Sequence, residues 1–253
     1  MEFLAAEWNA PGSVRAGCTL RAGGSSAAPY ASLNLGDHVG DEPAVVARNR
    51  AQLCATLDLP SEPLWLQQVH GTIVRDADAA DAADSSHAGG PADAAVTRAS
   101  ARVLAVLVAD CMPVLFASAD GTVLGAAHAG WRGLSAGVIE ATVGAMRVDP
   151  PGICAWLGPA ISASNFEVGA EVRDAFIAHD AHAVNAFAAN ARGRWQCDLE
   201  LLARARLSAL GITRVAAARV CTFADTARCY SYRRDGRTGR MAALIWRSEI
   251  LRT

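Results

Sequence analysis

Two histidines and one cysteine stand in three short segments that each interrupt or end an apolar run. These are Gln67-Gln68-Val69-His70-Gly71, Ala109-Asp110-Cys111-Met112-Pro113 and His128-Ala129-Gly130-Trp131-Arg132-Gly133. Two imidazoles and a thiol make a full protein ligand set for a zinc ion that keeps its fourth position open. The same side chains suit a cysteine nucleophile served by a histidine base. Either chemistry makes the chain an enzyme, with His70, Cys111 and His128 as its candidate catalytic and metal-ligating residues.

Spacing brings two of the three together. Residues 103–109 and 113–117 read as strands rich in Val and Leu. Asp120-Gly121 signals a turn, and residues 122–127 resume as a strand, which predicts a hairpin. A loop over residues 118–121 folds position 111 onto position 128, and opposed residues on paired strands lie roughly 4.5–5.5 Å apart. A slip of one residue would turn one side chain to the other face. His70 arrives on a separate strand, residues 64–69, and nothing local sets its position.

His128 closes its strand just before a helix predicted over residues 134–146. A helix start offers free N–H groups to an anion, and Arg132 adds a guanidinium suited to phosphate or carboxylate. The alternative is a packed Trp131 with Arg132 paired on the surface. A second anion candidate is the loop bearing Arg233, Arg234, Arg237 and Arg240, with Ser231 and Tyr232 before it; those arginines could equally face solvent. Asp110 is a candidate proton shuttle or an orienting partner for a ligand histidine. Of the other histidines, His38 sits in an N-terminal loop and could serve the site. His87 lies in a low-complexity stretch, and His179 and His182 have helical spacing but lack a third ligand.

With 253 residues, 52% hydrophobic and 19% charged, the chain has material for a large core. No apolar run approaches the roughly 18 residues of a membrane span, and residues 1–10 lack the basic start and apolar stretch of a signal peptide. A net charge of −2 offers no general attraction to nucleic acid. All 23 basic residues are arginine, which excludes a Schiff-base lysine and a P-loop of the GK[ST] type. Seven cysteines with no CxxC fit a reduced, cytoplasmic protein. Residues 44–57 read as a helix, 76–101 as a polar surface loop, 153–157 as a strand, and 168–210 mainly as helices. Strands over 215–221 and 241–246 flank the arginine loop. Helices and strands interleave with hairpins and no linker breaks the chain, so one α+β domain over residues 1–253 with mixed sheets is expected.

Several segments together resemble the laccase-domain family. They are Ser32-Leu33-Asn34-Leu35-Gly36, His38-Val39-Gly40-Asp41, Leu66-Gln67-Gln68-Val69-His70-Gly71, Ala109-Asp110-Cys111 and His128-Ala129-Gly130-Trp131-Arg132-Gly133. Trp156-Leu157-Gly158-Pro159-Ala160-Ile161, Phe166-Glu167-Val168-Gly169 and Ser231-Tyr232-Arg233-Arg234-Asp235 extend the likeness over nearly the whole chain. Met112 and Cys229-Tyr230 depart from the pattern, and neither touches the triad. The family was once called polyphenol oxidases and is also known as peptidoglycan editing factors. The resemblance implies a layered α/β/β/α sandwich like the cysteine-hydrolase fold of cytotoxic necrotizing factor. It implies a zinc-dependent purine nucleoside phosphorylase acting on adenosine, inosine, guanosine and methylthioadenosine, with adenosine deaminase side activity. Purine nucleoside and phosphate would be its partners, and His70, Cys111 and His128 its zinc ligands. Arg132, Arg233 and Asn34 are the candidate substrate-binding residues.

The older oxidase name fails on the residues. A multicopper oxidase needs about ten histidines with HxH motifs, and this chain has six and no HxH. The deaminase signature HxE with PCxxC is absent too, so deamination would need another proton shuttle. Three rivals remain. One is a cysteine hydrolase with Cys111 as nucleophile and His128 as base; the second is a cysteine- or metal-dependent hydrolase editing a peptidoglycan precursor; the third is a binding protein with a structural zinc, disfavoured because no fourth ligand is evident.

Overall fold

Strands that are apolar on both faces need cover on both sides, and here the alternation of side chains sorts them into layers. The computed structural model describes residues 1–79 and 90–248. One sheet is antiparallel throughout, in the order β1 (Phe3–Ala5), β2 (Val14–Thr19), β13 (Met241–Arg247) and β5 (Leu104–Val108). A second runs β12 (Arg214–Ala217), β8 (Ile153–Leu157), β6 (Met112–Ser118), β7 (Leu124–Ala129), β4 (Ala94–Thr97), β3 (Val74–Asp76). Its two outer pairs are parallel and its inner pairs antiparallel, so this six-stranded sheet is the mixed one. A small antiparallel sheet joins β10 (Phe187–Ala189), β11 (Trp195–Cys197) and β9 (Glu167–Val168).

The two large sheets pack face to face. Leu115 and Ala117 of β6 meet Val106 and Val108 of β5 and Ala243 and Ile245 of β13 in one cluster. Val114 and Phe116, the alternate residues of β6, turn outward against α3 (Val138–Met146) and α5 (Leu199–Ala209). Ala242 and Leu244 of β13 turn the other way, towards Leu53 of α1 (Pro43–Leu57). The order helix, sheet, sheet, helix thus follows from period-two alternation. No described helix is long and apolar enough to cross a membrane.

Several expectations are corrected. The hairpin loop has the expected length but lies one residue further on, because Ser118 pairs with Val123 through both its backbone N–H and its hydroxyl. His128 therefore faces Pro113, not Cys111. A one-residue displacement moves the pairing by two, which preserves the faces and leaves Cys111 just beyond the last pair, Met112 with Ala129. The expected strand over residues 64–69 makes only isolated bridges, Leu64 with Leu104 and Gln67 with Pro91. The stretch read as a surface loop contains β4, wholly buried, since alanines that look featureless in sequence fit a tight sheet interior. His87 lies outside the described residues. The single helix expected over 134–146 is two, α2 (Trp131–Ala136) and α3, broken at Gly137, whose φ of 100° is open to glycine. Within the stretch 168–210, expected to be mainly helical with a loop near residues 190–198, α4 (Ala170–Ile177) and α5 are separated by β10 and β11, and β11 falls inside the expected loop.

Candidate metal centre and its cleft

His128 sits near the end of β7, buried, and its Nδ1 lies 2.9 Å from Asp93 Oδ1. A carboxylate only accepts, so Nδ1 carries the proton and Nε2 is left for a ligand. The same carboxylate accepts the backbone N–H groups of Val69, His70 and Gly71 at 3.1, 2.8 and 2.6 Å. One side chain therefore sets the ring of His128 and the loop that carries His70. That loop has no ladder to hold it, and His70 takes φ 63°. Cys111 follows Asp110, at φ 99°, in the turn leading into β6. Its Sγ stands 3.8 Å from His70 Nε2, and the two imidazoles meet edge to face at 4.8 Å. All three ligand atoms lie within 4.8 Å of one another.

Charge binds the group further. Burial pushes the Cys111 thiol up, but His128 and then His70 outweigh it and bring it from 9.0 down to about 6. Burial pulls His128 down, while Cys111 and Asp93 overcome it and raise it from 6.5 to about 9. Burial raises Asp93, and the hydrogen bonds from His128, Gly71 and Val69 hold it below the usual carboxylate range. Without a metal, the mutual attraction of the pair favours a thiolate beside an imidazolium. A cation can take the place of that proton.

The backbone leaves room for such an ion. A Cβ added at Gly130 would stand 2.7 Å from Cys111 Sγ and 3.1 Å from His70 Cδ2, so glycine keeps the space between ligands clear. A soft thiolate with two imidazoles, oriented by a carboxylate, fits a borderline metal with an open position.

Two of the three candidate ligands, His70 and Cys111, open onto a cleft of about 220 Å³ that is also lined by Trp131, Arg132, Phe166, Tyr232 and Arg233, among others. Two sequence-predicted substrate residues, Arg132 and Arg233, are thus brought to the same cleft as His70 and Cys111. The guanidinium of Arg132 lies over Trp131 at 4.5 Å, and that of Arg233 lies over Phe166 at 5.0 Å. Because α2 spans only six residues, the cleft gains the side chain of Arg132 rather than a long helix dipole. Asn34 is placed elsewhere: buried, it donates to Gly36 O and Asp41 Oδ2 and accepts from the N–H groups of Gly36 and Arg240. Asp110 accepts from the Thr222 hydroxyl at 2.7 Å and the Arg233 N–H at 2.6 Å, so it positions the arginine segment instead of a ligand histidine. His38 is exposed and faces Asp37, while His179 and His182 belong to no ligand group among the described residues. Asp93 escaped the sequence reading. Its only signal was an acid placed directly before the short apolar run 94–96.

A family model described as multi-copper polyphenol oxidoreductase laccase matches residues 15–248. The chain belongs to that family. Across it, the chain is 49% identical over 247 residues to a purine nucleoside phosphorylase of Pseudomonas aeruginosa, covering 96% of this chain and 98% of that one. It is 45% identical over 245 residues to the purine nucleoside phosphorylase YfiH of Escherichia coli, covering 97% and 98%. Among solved structures, a Neisseria meningitidis protein aligns with TM-score 0.91 at 45% identity over 98% of this chain and 100% of that one. YlmD of Geobacillus stearothermophilus aligns with TM-score 0.85 at 31% identity, covering 94% and 93%. The copper in the family's description finds no match in the ligands: the described residues hold one such group, His70, Cys111 and His128, where linked copper centres need many more histidines.

Proposed function

We propose that the protein is a zinc-dependent purine nucleoside phosphorylase acting on adenosine, inosine, guanosine and methylthioadenosine, with adenosine deaminase as a side activity. One observation carries the reading: a single cleft joins metal-ligand candidates to two arginines suited to phosphate. Relatives at 49% and 45% identity bear the phosphorylase name, which supports it. Zinc held by His70, Cys111 and His128 would supply Lewis acidity at the reacting end of the cleft. The chain's own residues bind and align the reactants. Asp93 keeps His128 in its ligand tautomer, Arg132 and Arg233 hold phosphate, and Ile161, Phe166 and Leu199 wall out water. In phosphorolysis a phosphate oxygen bonds to the anomeric carbon and the glycosidic C–N bond breaks. The purine leaves with the bonding pair and takes up a proton.

Residues 1–253 act as one domain in this reading, supported by β2 near one end pairing with β13 near the other. A cytoplasmic setting is supported by seven free cysteines. The partners are nucleoside and phosphate, with no nucleic acid and no membrane.

A second reading is favoured by the depressed Cys111 thiol beside His128. In it, the sandwich serves as a toxin-like cysteine hydrolase editing a peptidoglycan precursor, with Cys111 as nucleophile. Chelation separates the two. With metal catalysis, chelation abolishes inosine phosphorolysis, zinc restores it, and iodoacetamide labels Cys111 rapidly only in the metal-free protein. Full turnover by metal-free protein, lost on alkylation, would overturn the metal mechanism in favour of covalent catalysis by Cys111.

A further inference from the structure

Three arginine–aromatic pairs surround the cleft, and they are not equivalent. In two of them the ring is withdrawn: Phe166 beneath Arg233 is 7% exposed, and Trp131 beneath Arg132 is half-buried. In the third the ring is presented. Tyr232 lines the cleft at 60% exposure, the only large aromatic side chain so exposed among the described residues. Leaving an aromatic face in water forgoes burial free energy that a flat apolar ligand would recover.

The ring is exposed, but its backbone is pinned. It opens α6 (Tyr232–Asp235), where the hydroxyl of the preceding Ser231 accepts the Arg234 N–H at 3.2 Å. Asp110, next to Cys111, accepts the following N–H, that of Arg233, at 2.6 Å. The Arg240 guanidinium lies over the ring, 5.8 Å from its centroid. Arg240 is itself anchored: Nη1 donates to the carbonyls of Thr238 and Gly239 at 3.0 and 3.1 Å, and its backbone N–H donates to Asn34 Oδ1 at 2.8 Å. Buried Asn34 thus bears on the cleft through Arg240.

We infer that Tyr232 is the stacking platform for the nucleoside base, with Arg240 bracing one face of the ring, the other open to a flat heteroaromatic ligand, and Asn34 positioning Arg240. This deepens the phosphorylase reading and rests on it. The withdrawn pairs then serve the anion and the presented one serves the base. Stacking needs the ring and not the hydroxyl, which gives the test its control. With zinc-loaded protein, Tyr232→Ala raises the KM and the Kd for inosine on the order of 10-fold or more. The KM for phosphate and the zinc content stay as in wild type, a split that a merely structural role would not produce. Tyr232→Phe restores most of the nucleoside affinity. An unchanged inosine Kd in Tyr232→Ala overturns the stacking role alone, as does a Tyr232→Phe variant as weak as Tyr232→Ala. Wild-type protein that binds no purine nucleoside overturns both the stacking role and the phosphorylase reading.

Discussion

The two sides of the cleft hold their functional groups by different means. On the metal side, His128 and Cys111 grow from the ends of neighbouring strands in a buried sheet, and one carboxylate, Asp93, ties in the loop of His70. On the side proposed to meet substrate, residues 231–240 form a short helix and loop whose side chains point different ways. Arg234 turns inward to the carbonyls of Thr222, Phe223 and Cys229, while Arg233 and Tyr232 face the cleft. A coordination shell tolerates little displacement and needs groups rooted in packed backbone. Groups that meet a diffusing substrate must be reachable, and the proposed substrate groups stand on a loop that other residues pin.

If the metal side is preorganised by charge, the largest effect is on Cys111. Its thiol lies near 6, so the thiolate is lost as pH falls through 6 and fully formed well below the ordinary value of 9.0. In metal-free protein, iodoacetamide labelling of Cys111 should rise with pH through about 6 and level off, with about 100-fold more thiolate at pH 7 than an unperturbed thiol carries. Cys54, pushed up by burial, should lag behind it in the same sample. Onset of Cys111 labelling only near pH 8, followed by mass spectrometry, would remove the thiolate–imidazolium pair from the account.

Asp93→Asn sharpens the comparison next. An amide neither holds His128 with a charge nor accepts three N–H groups as well, so zinc affinity should fall about 10- to 100-fold by chelator competition, with circular dichroism unchanged. Wild-type affinity in this variant would mean that the strands alone place the ligands.

The smallest effects divide the arginines. Arg132→Ala should raise the KM for phosphate roughly 10-fold while leaving the melting temperature alone. Arg234→Ala should do the reverse, orphaning three carbonyls at a stability cost of about 1–3 kcal/mol. Equal phosphate dependence in both variants would erase the division.

Much of this was readable in the chain. The helix from Pro43, the strand Ile153–Leu157 and the hairpin came from hydrophobic period and turn residues, which are local signals. The buried β4 and the small sheet did not, because alanine-rich segments carry little period and take their form from neighbours. The hairpin register missed by two residues, since the side chain of Ser118 settles which residues close the loop.

Residue type alone determined the chemistry on offer: two imidazoles, one thiol and an excess of arginine, with no lysine. Which of those groups meet was a tertiary decision. His70 lies 41 residues from Cys111 and shares no strand with it, so a carboxylate from a third segment had to join them. The four arginines of one loop look alike in sequence, and all four donate to backbone carbonyls in the fold; they differ in what else it sets opposite each: the Asp235 carboxylate for Arg234, the Tyr30 hydroxyl for Arg237, an aromatic ring at the cleft for Arg233 and Arg240. Propensity and period act over a few residues, whereas a site is made by contacts between segments far apart in the chain, and only the packed fold supplies those.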